Sequence, residues 1–316
     1  MKARRLLGMM ASIVIVGIVF FGYFYFVKQS PLAFATSDDP ANYTVPPNFL
    51  YAINNDPGYS LDRPMSVIVA NDQIYVADAG TGKVVVFDYN GKFEHYLKPG
   101  KASFGRPYGL ATEGSYVFVS DTVTGKIYVF DALDHYVGLF PTQVGVLAAP
   151  AGITFANNNL YVADVQRNMV YEFNSKGSLL QSFGANGEQQ GQLTFPNCVA
   201  VDSFGKVFVS DSGNNRIVVY NSKAVVIRYI GVKSSGQGDI LTPRGLAFDQ
   251  NGDLWVVSGL ADRIQVYAPN GEALMKFGVT GDAYGQFSLP NGIFIDPNNR
   301  IYVTETGNSR ISVLAR

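Results

Sequence analysis

Cysteine and histidine are nearly absent from this chain of 316 residues. The one cysteine, Cys198, cannot form an internal disulfide and reads as a small apolar side chain in a core. The two histidines, His95 and His135, are too few for a zinc centre built on several imidazoles. No Cys-x-x-Cys-His haem site, Gly-x-Ser-x-Gly elbow, P-loop or His-Glu-x-x-His helix occurs, so the common signatures of acyl transfer, nucleotide binding and zinc hydrolysis are missing. An excess of positive charge is missing too. Lys2, Arg4 and Arg5 take three of the 24 basic residues, so residues 28–316 carry 21 against 25 acidic ones, a net of about −4. That balance gives no electrostatic footprint for nucleic acid, and no nucleic-acid partner is expected.

One long apolar run is present. Residues 6–27 contain no formal charge over 22 positions. As a helix at ~1.5 Å per residue they span ~33 Å, enough for a bilayer core. The basic residues ahead of them hold residues 1–5 in the cytoplasm, so the rest of the chain is expected outside it, in a periplasm or extracellular space. Tyr23, Tyr25 and Lys28 suit the outer interface. Ala33-Phe34-Ala35 resembles a signal-peptidase site, but a signal-peptide core runs only ~7–15 residues, so an uncleaved signal-anchor is the reading. Residues 28–46 are polar, aperiodic and proline-containing, and read as a linker.

The remainder, residues 47–316, repeats itself six times. Pro64, Pro107, Pro150, Pro196, Pro243 and Pro290 recur at intervals of 43, 43, 46, 47 and 47 residues. Each is followed by a short apolar strand, a turn, and an aromatic-Val-x-acid strand such as Ile74-Tyr-Val-Ala-Asp78 or Val207-Phe-Val-Ser-Asp211. A third strand begins five residues after the acid, and an outer stretch ends near Phe-Gly. Periods of this length with four short strands per unit predict an all-β, six-bladed β-propeller of four-stranded blades, preceded by one transmembrane helix. The last repeat ends after its third strand, while Asn48-Phe-Leu-Tyr-Ala-Ile53 is a strand without a blade. Residues 48–53 are therefore expected to supply the outer strand of blade six and close the ring.

Two sets of side chains stand out. Four blades keep an acid and a base five residues apart: Asp78/Lys83, Asp121/Lys126, Asp211/Arg216 and Glu305/Arg310. Blade three has Met169 in place of the base, and blade five has Ser258 in place of the acid. A feature present in most blades is a brace, since an active site is built once. The second set follows the anchoring prolines and should face the central opening: Met65, Tyr108, Ala151, Asn197, Arg244 and Asn291. Arg63 and Arg106 stand beside strand starts and could gather on the same face. Arginine and tyrosine are frequent interface anchors, so Arg63, Met65, Arg106, Tyr108, Asn197, Arg244 and Asn291 are the candidate binding residues.

Gly191-Gln-Leu-Thr-Phe-Pro196-Asn-Cys-Val-Ala-Val-Asp202 resembles the NHL repeat, as do Gly236-Gln-Gly-Asp-Ile-Leu-Thr-Pro243-Arg-Gly-Leu-Ala-Phe-Asp249 and Gly285-Gln-Phe-Ser-Leu-Pro290-Asn-Gly-Ile-Phe-Ile-Asp296. Ser-Asp-Ser-Gly-Asn-Asn-Arg-Ile at 210–217 and Thr-Glu-Thr-Gly-Asn-Ser-Arg-Ile at 304–311 continue the likeness. The resemblance implies a six-bladed propeller used as a binding platform. Its members include ubiquitin-ligase targeting domains, receptor-kinase sensor domains and an amidating lyase, so it does not choose a function. Six-bladed lactonases and that lyase carry Ca²⁺ or Zn²⁺ on the axis. Here the ring residues include no carboxylate, and His95 and His135 fall on expected outer strands. The expectation is a non-catalytic, membrane-tethered propeller without cofactor that binds a protein or envelope polymer; the alternative is a metal-dependent lyase or lactonase-like enzyme.

Overall fold

The computed structural model describes residues 45–56, 58–231 and 240–315. Residues 6–27 lie outside this set; among the described residues no helix is long and apolar enough to cross a membrane. The described chain forms six four-stranded antiparallel sheets. Blade one covers residues 64–96, blade two 107–139, blade three 150–183, blade four 196–230 and blade five 243–277. Blade six takes three strands from residues 290–315 and its fourth from Asn48–Ile53, which runs antiparallel to Arg310–Ala315. The ring is thus closed by pairing its two ends, as the orphan strand implied.

Each blade is sandwiched between two others, so its middle strands bury both faces. That is why they read as continuous apolar runs rather than alternating ones: Ile74, Tyr75, Val76 and Ala77 are all fully buried. The core is divided into six clusters, one per blade junction. Tyr75 and Val86 of blade one pack with Leu110, Val117 and Tyr128 of blade two. Ile53 and Val313 of blade six pack with Val67, Ile74 and Phe87 of blade one. Stability therefore resides in nearest-neighbour contacts.

The same irregularity recurs at the start of every first strand. The register slips just after the anchoring proline, as between Pro107 and Leu110, Pro196 and Val199, and Pro243 and Leu246. A bulge there re-aims the following side chain. The next residue must then be small, because neighbouring first strands nearly touch. A Cβ on Gly109 would lie 2.3 Å from the Ala151 carbonyl oxygen, and one on Gly245 2.7 Å from that of Asn291.

Candidate functional site

The bulges gather the residues after the prolines around one axial cavity of about 180 Å³, whose wall includes Met65, Tyr108, Asn197, Cys198, Arg244 and Asn291. Ala151, the sixth member of the ring, is fully buried behind the wall. Arg63 and Arg106 stand apart from it on the surface. The Arg63 guanidinium lies 3.8 Å from Asp62, and the Arg106 backbone N–H is bound by Asp121. The structure thus brings five of the seven candidate binding residues together and leaves these two arginines outside.

Tyr108 donates its hydroxyl to Asn197 Oδ1 at 2.6 Å, and Arg244 Nη1 donates to the same oxygen at 3.1 Å. Asn197 is fixed by donating from Nδ2 to Ser212 Oγ at 2.7 Å and to the Phe195 carbonyl at 3.1 Å. Asn291 donates from Nδ2 to Met65 Sδ at 3.8 Å, and its amide also approaches the Tyr108 hydroxyl. Burial raises the Tyr108 phenol above its usual range, partly offset by Arg244. Burial likewise pushes the Cys198 thiol up to about 11. Among the described residues no carboxylate lies within ion-pair distance of Arg244, since the described ion pairs involve other cations.

Hydroxyl groups hold this ring from behind. Ser120 of blade two accepts the Gly109 N–H at 2.8 Å and donates to the Ala151 carbonyl of blade three. Ser210 of blade four bonds the Arg244 carbonyl of blade five, and Thr304 of blade six reaches the Met65 carbonyl of blade one at 3.4 Å. The other three blades have Ala77, Ala163 and Val257 there. The alternation lies one residue before the end of each second strand, where nothing in the spacing marks a hydroxyl that reaches the next blade.

The acids themselves act mainly on backbone. In all six blades the residue ending the second strand accepts an N–H from the loop leading into its own first strand. The donors are Asp62 to Asp78 at 2.9 Å, Gly105 to Asp121 at 2.6 Å, Ala148 to Asp164 at 2.6 Å and Thr194 to Asp211 at 2.6 Å. Leu241 donates to Ser258 Oγ at 2.9 Å and Ser288 to Glu305 at 3.3 Å. Serine in blade five therefore keeps the acid's role. Only two of the four expected pairs form: Asp211–Arg216 at 2.8 Å and Glu305–Arg310 at 2.9 Å. Lys83 instead lies over the Tyr96 ring at 4.4 Å, and Lys126 makes no described ion pair with Asp121. The arginines do what a lysine cannot, because their planar fork also spans loop carbonyls: Gln189 and Gln192 for Arg216, and Asp282, Ala283 and Gln286 for Arg310. Burial raises the Asp78 carboxyl to about 6, and it raises that of Asp211 as well despite Arg216 beside it.

Neither histidine approaches the axis. His95 lies on the outer strand of blade one, 2.9 Å from Asp134, and His135 lies in the turn before the outer strand of blade two, 3.5 Å from Asp131. Among the described residues no three His, Cys, Asp or Glu side chains gather closely enough to hold a metal ion. The ring supplies amides, a phenol, a thioether, a thiol and a guanidinium; a divalent cation would meet positive charge there and no anionic oxygen, so the residues do not fit one.

Residues 193–220 and 287–314 match the NHL repeat family. No curated protein sequence is significantly similar to the chain. Among solved structures, the fold is similar to a catalytically inactive virginiamycin B lyase from Staphylococcus aureus with quinupristin. That match has 16% identity and a TM-score of 0.60, covering 83% of this chain and 84% of that one. A streptogramin B lyase aligns at 12% identity and TM-score 0.59, over 84% and 96% of the two chains. Hydrazine synthase from Kuenenia stuttgartiensis aligns at 14% and 0.56, over 83% and 78%. At these identities the likeness concerns the backbone. The chain is an all-β, six-bladed propeller of four-stranded blades that carries NHL repeats.

Proposed function

We propose that the chain is a membrane-tethered binding propeller whose exported domain recognises a protein or envelope polymer with the face around its axial opening. The observation that supports this reading most is Arg244, a cation in the cavity wall whose described partners there, Asn197 and the Tyr108 phenol, are both neutral. A phenol above its usual range and a thiol near 11 stay protonated at neutral pH, so the wall offers hydrogen bonds rather than a nucleophile. The bilayer segment in this reading is residues 6–27. The full chain is then expected to resist alkaline carbonate extraction from membranes; release into the supernatant would remove the anchor.

The backbone likeness to streptogramin B lyases favours a second reading, an enzyme of that kind. The inactive lyase owes its state to replacement of a histidine by alanine. Here both imidazoles lie on the outer edge. Detergent-purified full chain incubated with quinupristin is expected to leave it intact, while an immobilised sample retains an envelope component that elutes with unchanged mass. Consumption of quinupristin, abolished by a chelator, would establish the lyase reading instead.

A further inference from the structure

The loops leading into blades four and six, and the turn after the second strand of blade five, each expose a bulky apolar side chain at the end of the ring where the anchoring prolines stand. Phe195 and Leu289 stand just before anchoring prolines, 61% and 47% exposed. Both adopt left-handed backbone, at φ 51° and 45°. That conformation is costly for bulky residues and persists only where the surroundings impose it. Side chains of the preceding blades do so: Asn168 Oδ1 accepts the Phe195 N–H at 2.8 Å, and Asp262 Oδ1 accepts the Leu289 N–H at 2.7 Å. Thr242, in blade five, repeats the device at φ 50° with Asn215 at 2.7 Å. Leu260 is 65% exposed beside Gly259, and a Cβ on Gly259 would meet the Arg244 stem at 2.9 Å and the Pro290 carbonyl oxygen at 3.2 Å. Arg244 thus stands on the first strand of blade five, between the blade that Phe195 leads into and the blade that Leu289 leads into.

The axial cavity has room for an end group only. At about 180 Å³ it falls below the ~300–1,000 Å³ that encloses a whole small-molecule ligand. Its donors are the Arg244 guanidinium and Asn291, which is only 8% exposed and whose amide lies between the Met65 thioether, a weak acceptor, and the Tyr108 hydroxyl. A planar guanidinium beside a second donor suits a carboxylate, which accepts two parallel bonds. A small free acid or phosphate would fill the cavity yet leave the apolar rim uncovered.

We propose that this face captures the free C-terminal carboxylate of a peptide whose last side chain is apolar. The carboxylate enters the cavity onto Arg244 and Asn291, and the apolar end of the peptide lies across Phe195, Leu260 and Leu289. The inference rests on the binding reading above and narrows it to one chemical group.

Random hexapeptides displayed with free C termini, beside the same sequences amidated, test it with labelled full-length protein in detergent. Signal is expected to be at least about tenfold higher on free termini, the loss typical of a charge-assisted hydrogen bond. It should be concentrated on sequences ending in Leu, Ile, Val or Phe. Arg244→Gln is expected to erase the difference, while Lys223→Gln, on a turn at the opposite end, leaves it. If Arg244→Gln does not fold, the comparison of free and amidated termini on the unmodified protein decides alone. Equal binding to both arrays overturns the proposal and leaves a binding face of another chemistry. Full competition by millimolar free leucine or inorganic phosphate overturns it in favour of a small-anion site. Silence on both arrays overturns it too, and retention of an envelope component would then preserve the broader binding reading.

Discussion

A chain that begins at Asn48 is expected to fold, whereas one that begins at Asn54 melts about 10 °C lower and aggregates. The difference is the strand Asn48–Ile53. It pairs along Arg310–Ala315, with Ile53 opposite Ile311 and Phe49 opposite Leu314. Ile53 is 3% exposed, within the cluster joining blades six and one. Phe49 stacks on Tyr284 with ring centroids 5.3 Å apart. Burial of one large aliphatic side chain contributes about 2 kcal/mol, and a few net ladder bonds of about 1 kcal/mol each bring the strand to about 4 kcal/mol. At about 2–4 °C per kcal/mol for a domain of this size, that gives the stated shift. The exposed edge of Arg310–Ala315 would also template association between molecules. Thermal melts and light scattering of the two chains check this; equal melting would mean that the ring is not held shut by this strand.

Glu305→Ala is expected to cost about 3–5 kcal/mol, the range for stranding a buried charge. Glu305 is fully buried and Arg310 only 4% exposed. The carboxylate accepts Arg310 Nε at 2.9 Å and Nη2 at 3.2 Å, Asn308 Nδ2 at 2.6 Å, the Ser288 N–H at 3.3 Å and the Ser312 hydroxyl. Its removal leaves the guanidinium with loop carbonyls and no carboxylate, and frees the Ser288 end of the loop that carries Leu289. Asp78→Ala supplies the contrast. Asp78 binds the Asp62 N–H and the Thr81 hydroxyl but has no cation beside it, so its loss is expected to cost only about 1–2 kcal/mol. Urea unfolding of both variants measures the difference. Equal costs would mean that the ion pair adds nothing to the backbone cap.

The frame of this protein is legible because it is written six times. The anchoring prolines, the aromatic-Val-x-acid strands and the orphan strand at 48–53 each reflect a local demand that every blade repeats. The same repetition misled where a side chain serves a different neighbour. The acid and base do face each other across the hairpin, as Asp78 opposite Lys83 and Asp211 opposite Arg216. Spacing alone could not tell a carboxylate aimed at its partner from one aimed at a loop N–H. Among the described residues Arg216 and Arg310 also brace the loops running to Thr194 and Ser288, a reach that Lys83 and Lys126 lack. In the site, the prolines revealed which residues meet on the axis. The Ser120, Ser210 and Thr304 straps and the Asn168, Asn215 and Asp262 pins were not read, because each acts on the backbone of the next blade. Arg63 and Arg106 were included by proximity in sequence, but each precedes its proline and lies on the outer side of the bulge that turns the next side chain inward.

An axial ring that binds stands or falls on Tyr108→Ala. Tyr108 spans the cavity from blade two to Asn197 of blade four and adjoins Arg244 and Asn291. The quantity to measure is the affinity of immobilised full chain for the envelope component it retains, with melting recorded on the same samples. The variant is expected to bind more weakly by ~1–3 kcal/mol, the range of an interface anchor, while melting within a few degrees of the unmodified protein. Unchanged affinity in a folded variant would contradict it.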